Sequence, residues 1–134
     1  MRLTIAIAAC LTLSAAALAQ APAPSKGPSL ERAQKAAKAA IAACKGVPVA
    51  VAVLDQASFP KLIVVSDGGN NRMADFARRK ATTALRFGKP SAEVRDAAKD
   101  NPELATQLKT DPALIGFGGG LLVKDGAVAV AGAP

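Results

Sequence analysis

The run Val47-Pro48-Val49-Ala50-Val51-Ala52-Val53-Leu54 carries no charged or hydrogen-bonding side chain and is dominated by valine. A half-exposed strand alternates apolar and polar residues. A run without that alternation reads as a strand covered on both faces. Lys61 to Ser66 reads as a second strand. The connection between them, Asp55-Gln56-Ala57-Ser58-Phe59-Pro60, is short enough for a hairpin, so the two pair antiparallel. A second hairpin ends the chain: Leu121 to Lys124, an Asp125-Gly126 turn, and Ala127 to Ala131.

Helical periodicity fills the intervals. Leu30, Ala33, Ala37, Ala40, Ile41 and Cys44 recur at three- and four-residue spacing, predicting a helix from Leu30 to about Lys45. Ser29 is its N-cap, and Gly46 ends it. Its buried stripe is mostly alanine, which lets it lie close to a neighbour. Asp67-Gly68-Gly69-Asn70-Asn71 is dense turn chemistry before a longer helix, about Arg72 to Phe87. Met73, Phe76, Ala77, Ala84 and Phe87 form its apolar face, with Lys80 on that same face. Gly88 and Pro90 terminate it. Ser91 to Lys99 and Pro102 to Lys109 predict two short helices capped by Ser91 and Asn101. Hairpins on either side of a helical stretch indicate an α+β class fold, an antiparallel sheet with helices packed on it.

The N-terminus is read apart from the domain. Met1-Arg2, an apolar stretch from Leu3 to Leu18, and Ala17-Leu18-Ala19 fit a signal peptide over residues 1–19 with Gln20 as the new first residue. A retained anchor would need about 20 apolar residues, and this run is shorter. No Arg-Arg pair precedes it, which favours the general secretory route. Residues 20–28, with three prolines, read as a flexible leader, and residues 29–134 as one domain. The expected location is periplasmic or secreted in a bacterium, with no membrane insertion after cleavage.

Cleavage removes Cys10 and leaves Cys44 as the sole thiol, so no intramolecular disulfide can form. It also removes Arg2, leaving 16 of the 17 basic residues against 10 acidic ones. That balance favours anionic partners. With no Trp or Tyr and only 4 Phe for base stacking, nucleic acid is not expected among them. A small anionic ligand is.

There is no histidine anywhere. This excludes Ser-His-Asp hydrolysis, Cys-His proteolysis, His-metal sites and imidazole acid–base steps. A single mature cysteine excludes thiolate zinc. No metal site is expected. Gly118-Gly119-Gly120 lacks a following Lys-Ser/Thr and precedes a strand, so it is not a phosphate loop. It reads as flexible backbone before the strand, or as backbone closely approached by a ligand or subunit. Asp55 and Asp67 fall at opposite ends of the first hairpin, which makes them turn formers and not a catalytic pair.

Three blocks in order carry a family resemblance. Ser29-Leu30-Glu31-Arg32-Ala33-Gln34 followed by Gly46 to Asp55 resembles the opening of the GlcG/HbpS-like (DUF336) haem-binding family. Lys80-Ala81-Thr82-Thr83-Ala84-Leu85-Arg86-Phe87-Gly88-Lys89-Pro90-Ser91 is similar to its helix and Pro-Ser exit. Gly118 to Gly120, Asp125-Gly126 and Gly132-Ala133-Pro134 match its terminal hairpin. The resemblance implies a profilin-like α/β/α sandwich, homo-oligomers (often octamers), and binding of haem or a related tetrapyrrole. It places Lys80, Thr83 and Phe87 near that ligand, with Met73 or Cys44 as the sulfur candidates for iron. The sequence departs from the family in the turn after Asp55, in stopping at Pro134, and in lacking histidine ligands.

Together these features give a non-enzymatic binder of haem or another anionic tetrapyrrole as the expected function. The alternatives are an oligomeric accessory module with no ligand of its own, and an enzyme acting through Lys80 or Asp55.

Overall fold

The computed structural model describes residues 26–133. The expected signal peptide, most of the leader, and Pro134 lie outside the described residues. The elements are α1 (Leu30–Ala43), β1 (Ala50–Asp55), β2 (Pro60–Val65), α2 (Asn71–Phe87), α3 (Ser91–Ala97), α4 (Pro102–Thr110), β3 (Gly120–Val123) and β4 (Gly126–Ala131). The four strands form one antiparallel sheet in the order β2-β1-β4-β3, so the two hairpins meet along β1 and β4. This is the α+β architecture that the two hairpins predict.

β1 is central, and all six of its residues are buried. Its parity divides the core. Ala50, Ala52 and Leu54, with Ala127, Ala129 and Ala131 of β4, pack under Ala77 and Ala81 of α2. Val53 and Val128 point to the opposite face, towards Ala33 and Ala36 of α1. Helices therefore cover β1 from both sides, which explains the missing alternation in its sequence.

The buried centre of the α2–sheet layer is mostly alanine, with Leu54 the one large buried side chain and Met73, Phe76 and Leu85 packed around it, and glycines where the backbones approach closest. A Cβ at Gly120 would strike the Lys80 backbone carbonyl, and one at Gly126 would strike that of Leu54. The triple glycine thus permits a close backbone approach, but to the chain's own helix. α3 and α4 fold back on the end of α2, where Val94, Leu108 and Leu114 gather around Phe87 and Leu104.

Several boundaries differ from the sequence expectation for physical reasons. α1 stops at Ala43 because Lys45 (φ 51°) and Gly46 (φ 83°) turn the chain through the left-handed region. β1 starts at Ala50, since Pro48 has no N–H to donate and the Val49 N–H is taken by the Ser66 hydroxyl at 2.9 Å. Ser91 does not cap α3. Pro90 holds that position, while the buried Ser91 hydroxyl accepts from the Gly120 N–H at 2.8 Å. Lys26 to Pro28, the end of the proline-rich stretch, lies against the domain. The Lys26 carbonyl accepts from the Gln56 N–H, and Pro28 is buried.

Candidate functional site

α2 is set by its ends. The Asn70 side chain accepts from the Met73 N–H at 3.1 Å, and Gly88 at φ 64° closes the helix. Within it, neighbouring residues diverge by about 100°, so Arg79 and Lys80 leave in different directions. Lys80 runs towards the sheet, where its ammonium donates to the Val130 carbonyl at 2.9 Å. Burial pushes its pKa below the ordinary lysine value. Arg79 runs towards the loop after α4 and donates to the Leu114 carbonyl through Nε at 3.0 Å.

The same loop is held from inside by Thr83, which is fully buried. Its hydroxyl accepts from the Ile115 N–H at 3.0 Å and donates to the carbonyl of Arg79 (2.9 Å) or Ile115 (3.3 Å). Asp111 fixes the start of the loop, accepting from the Ala113 N–H at 2.8 Å and pairing with Arg86 at 2.6 Å. These two bonds hold its carboxyl below the usual carboxylate range. At the far end Phe117 stands half out of the surface, its ring 5.9 Å from that of Phe76.

Between α2, α3, α4 and this loop lies a recess of about 460 Å³. Ala98, Ala105, Leu108, Ile115 and Phe117 give it an apolar lining, and Arg79, Arg95 and Lys109 bring three cations to it. No carboxylate is among its lining residues. Arg95 shares its charge with Asp96 at 3.0 Å, whereas Lys109 forms no ion pair among the described residues. The hydrogen bonds from Lys99 and Arg95 hold the Asp96 carboxyl below its usual value. Two crevices beside α1, of about 160 and 290 Å³, are smaller. The size and lining suit a small apolar molecule with acidic groups on one edge.

None of Lys80, Thr83, Phe87 and Met73 is among the residues lining this recess. Thr83 and Phe87 lie behind it, the first tying Ile115 to α2 and the second packing beneath Leu108. Lys80 is engaged at β4, and Met73 packs against the Ala50–Ala131 cluster near Gly132. Arg79, Arg95, Lys109 and Phe117 escape sequence reading because only folding brings them together. The one local signal is Phe117, an aromatic set between glycines where burial is poor.

Comparison with known proteins gives a consistent set of likenesses. Residues 29–134 match the family model described as haem degrading protein HbpS-like. The crystal structure of HbpS is similar at 32% identity, covering 83% of this chain and 81% of that one, with a TM-score of 0.70. A doubly substituted HbpS of Streptomyces reticuli is similar at 30% identity, covering 100% of this chain and 87% of that one, with a TM-score of 0.70. Protein ORFY of Klebsiella pneumoniae follows at 26% identity, 81% of each chain and a TM-score of 0.65. A search of curated protein sequences gave no significant match.

Proposed function

The chain belongs to the HbpS-like family, and from that premise we propose that it is an exported, non-enzymatic binding protein for haem or another anionic tetrapyrrole. The observation that carries this reading is the recess itself, an apolar and aromatic lining met by three cations with no carboxylate among them. A tetrapyrrole is a flat apolar ring with acidic side arms, and guanidinium and ammonium groups are the natural partners of those arms. A formal net charge of +7 over the whole chain supports an anionic ligand.

The organic part of haem fits this lining and the iron does not. No imidazole exists in the sequence, and neither Cys44 nor Met73 lines the recess. In this reading Arg95 and Lys109 meet the carboxylates, while Phe117, Leu108 and Ile115 take the ring face. Thr83 and Phe87 position the wall from behind. Lys80 and Met73 set the packing of α2 on the sheet.

Titration of the protein with hemin tests this. The expected result is a saturable Soret change that Arg95→Glu and Lys109→Glu weaken and that Phe117→Ala weakens without loss of folding. A change no larger than an unrelated protein of similar charge produces would overturn the binding. The family description speaks of haem degradation, so the non-enzymatic part has its own check. Loss of the loaded protein's Soret band under ascorbate and air, faster than for free hemin, would overturn it.

Edge strand β3 supports the second reading, an oligomeric accessory module. Leu121, Leu122 and Val123 are all exposed there, and an open apolar edge of this kind favours association with another copy. A defined homo-oligomer by light scattering, together with failed titrations, would favour that module. The two readings are compatible if the oligomer also binds.

No helix among the described residues is long and apolar enough to cross a membrane. Export rests on residues 1–19, and N-terminal sequencing of protein recovered from the host, expected to begin at Gln20, tests it.

A further inference from the structure

We infer that the recess grips a tetrapyrrole by its acidic edge and its flat face alone, so that metal-free porphyrin binds about as well as haem. This rests on the binding reading above and goes beyond it, because it concerns which members of the ligand class are accepted.

Lone pairs that could reach a ring-centre metal are scarce in this chain. Histidine and tyrosine, two common iron ligands, are absent from all 134 residues. The described residues offer two sulfurs. Cys44 caps the end of α1, and α1 packs on the sheet face opposite the recess. The Met73 thioether is spent against the alanine cluster at the first turn of α2. Within the lining, Arg79 and Arg95 carry guanidinium groups, which donate hydrogen bonds and offer no lone pair to a metal. Lys109 is exposed, where an ammonium acts as an anion partner. No carboxylate is present. What remains acts at the edge and face of a ring: the cations of Arg95 and Lys109, the aromatic ring of Phe117, and the apolar contacts of Leu108 and Ile115. None of these senses what occupies the ring centre.

The test is a parallel titration with hemin, protoporphyrin IX and protoporphyrin IX dimethyl ester, read by absorbance and by porphyrin fluorescence. Dissociation constants for hemin and protoporphyrin IX are expected to agree within about threefold. The ester should bind at least about tenfold more weakly, and Lys109→Glu should weaken the first two alike. Bound hemin should lack low-spin, six-coordinate bands. Hemin binding at least about tenfold tighter than the metal-free ring, or low-spin bands, would overturn the inference and leave the binding reading standing. Failure of both free acids to bind would overturn both. Equal binding of the ester would also overturn the inference, since the acidic edge would then contribute nothing.

Discussion

Replacing Thr83 with valine should destabilise the protein by about 2 kcal/mol while leaving its shape intact. The two side chains have nearly the same volume, so no cavity opens. What disappears is the hydroxyl that accepts from the Ile115 N–H and donates to a carbonyl of Arg79 or Ile115. Thr83 is wholly buried, so water cannot replace the lost acceptor, and an orphaned buried N–H costs roughly 1–3 kcal/mol. At roughly 4–8 °C per kcal/mol for a domain of about 100 residues, Tm should fall by about 8–16 °C. Thr82→Val is the internal control. Its hydroxyl donates only to the Arg78 carbonyl of its own helix, and no backbone donor depends on it, so its loss should cost about 0.5–1 kcal/mol. Urea denaturation of both variants decides the matter. Equal midpoints for the two would refute the assignment of Thr83 as the pin between α2 and the recess wall.

Two further outcomes follow from the close α2–sheet contact. Gly120→Ala should cost about 1–3 kcal/mol or more, because the added methyl meets the Lys80 backbone and not a movable side chain; a melting temperature unchanged from the wild type would contradict this. Lys80 has its pKa lowered by burial, so the unfolded chain holds its proton more tightly than the folded one. Stability should therefore rise with pH as the solution approaches the ordinary lysine value of 10.5. The rise towards that value should be steeper in the wild type than in Lys80→Met. Parallel slopes would show that this lysine does not feel its burial.

Both hairpins and α2 were legible because their signals are local. Valine without alternation marks β1, and the turn run ending at Asn71 together with Gly88 bounds α2 to within a residue. The order of elements followed from these. The recess was not legible, because its cations come from three helices and its aromatic from a loop. Periodicity placed Lys80 on the inner face of α2, which is correct. It could not show that the inner face at that point meets the Val130 carbonyl. Nor could it show that Arg79, one position earlier, turns towards the hollow. Ser91 misled for a related reason: its usual capping role yields here to a partner 29 positions away.

The layer where α2 rests on the sheet is made mostly of side chains already as small as chemistry allows, and this inverts how much of it answers to mutation. Alanine substitution is uninformative at the many positions that are already alanine, where it has nothing to remove, and at the glycines it acts as an enlargement. Tolerance would look highest where it is lowest. Only enlarging substitutions would reveal the constraint, a single added carbon prising helix from strands. Where the backbones touch, the space admits exchanges among the smallest residues only, whereas the short helices and the glycine-flanked loop leave room for larger ones.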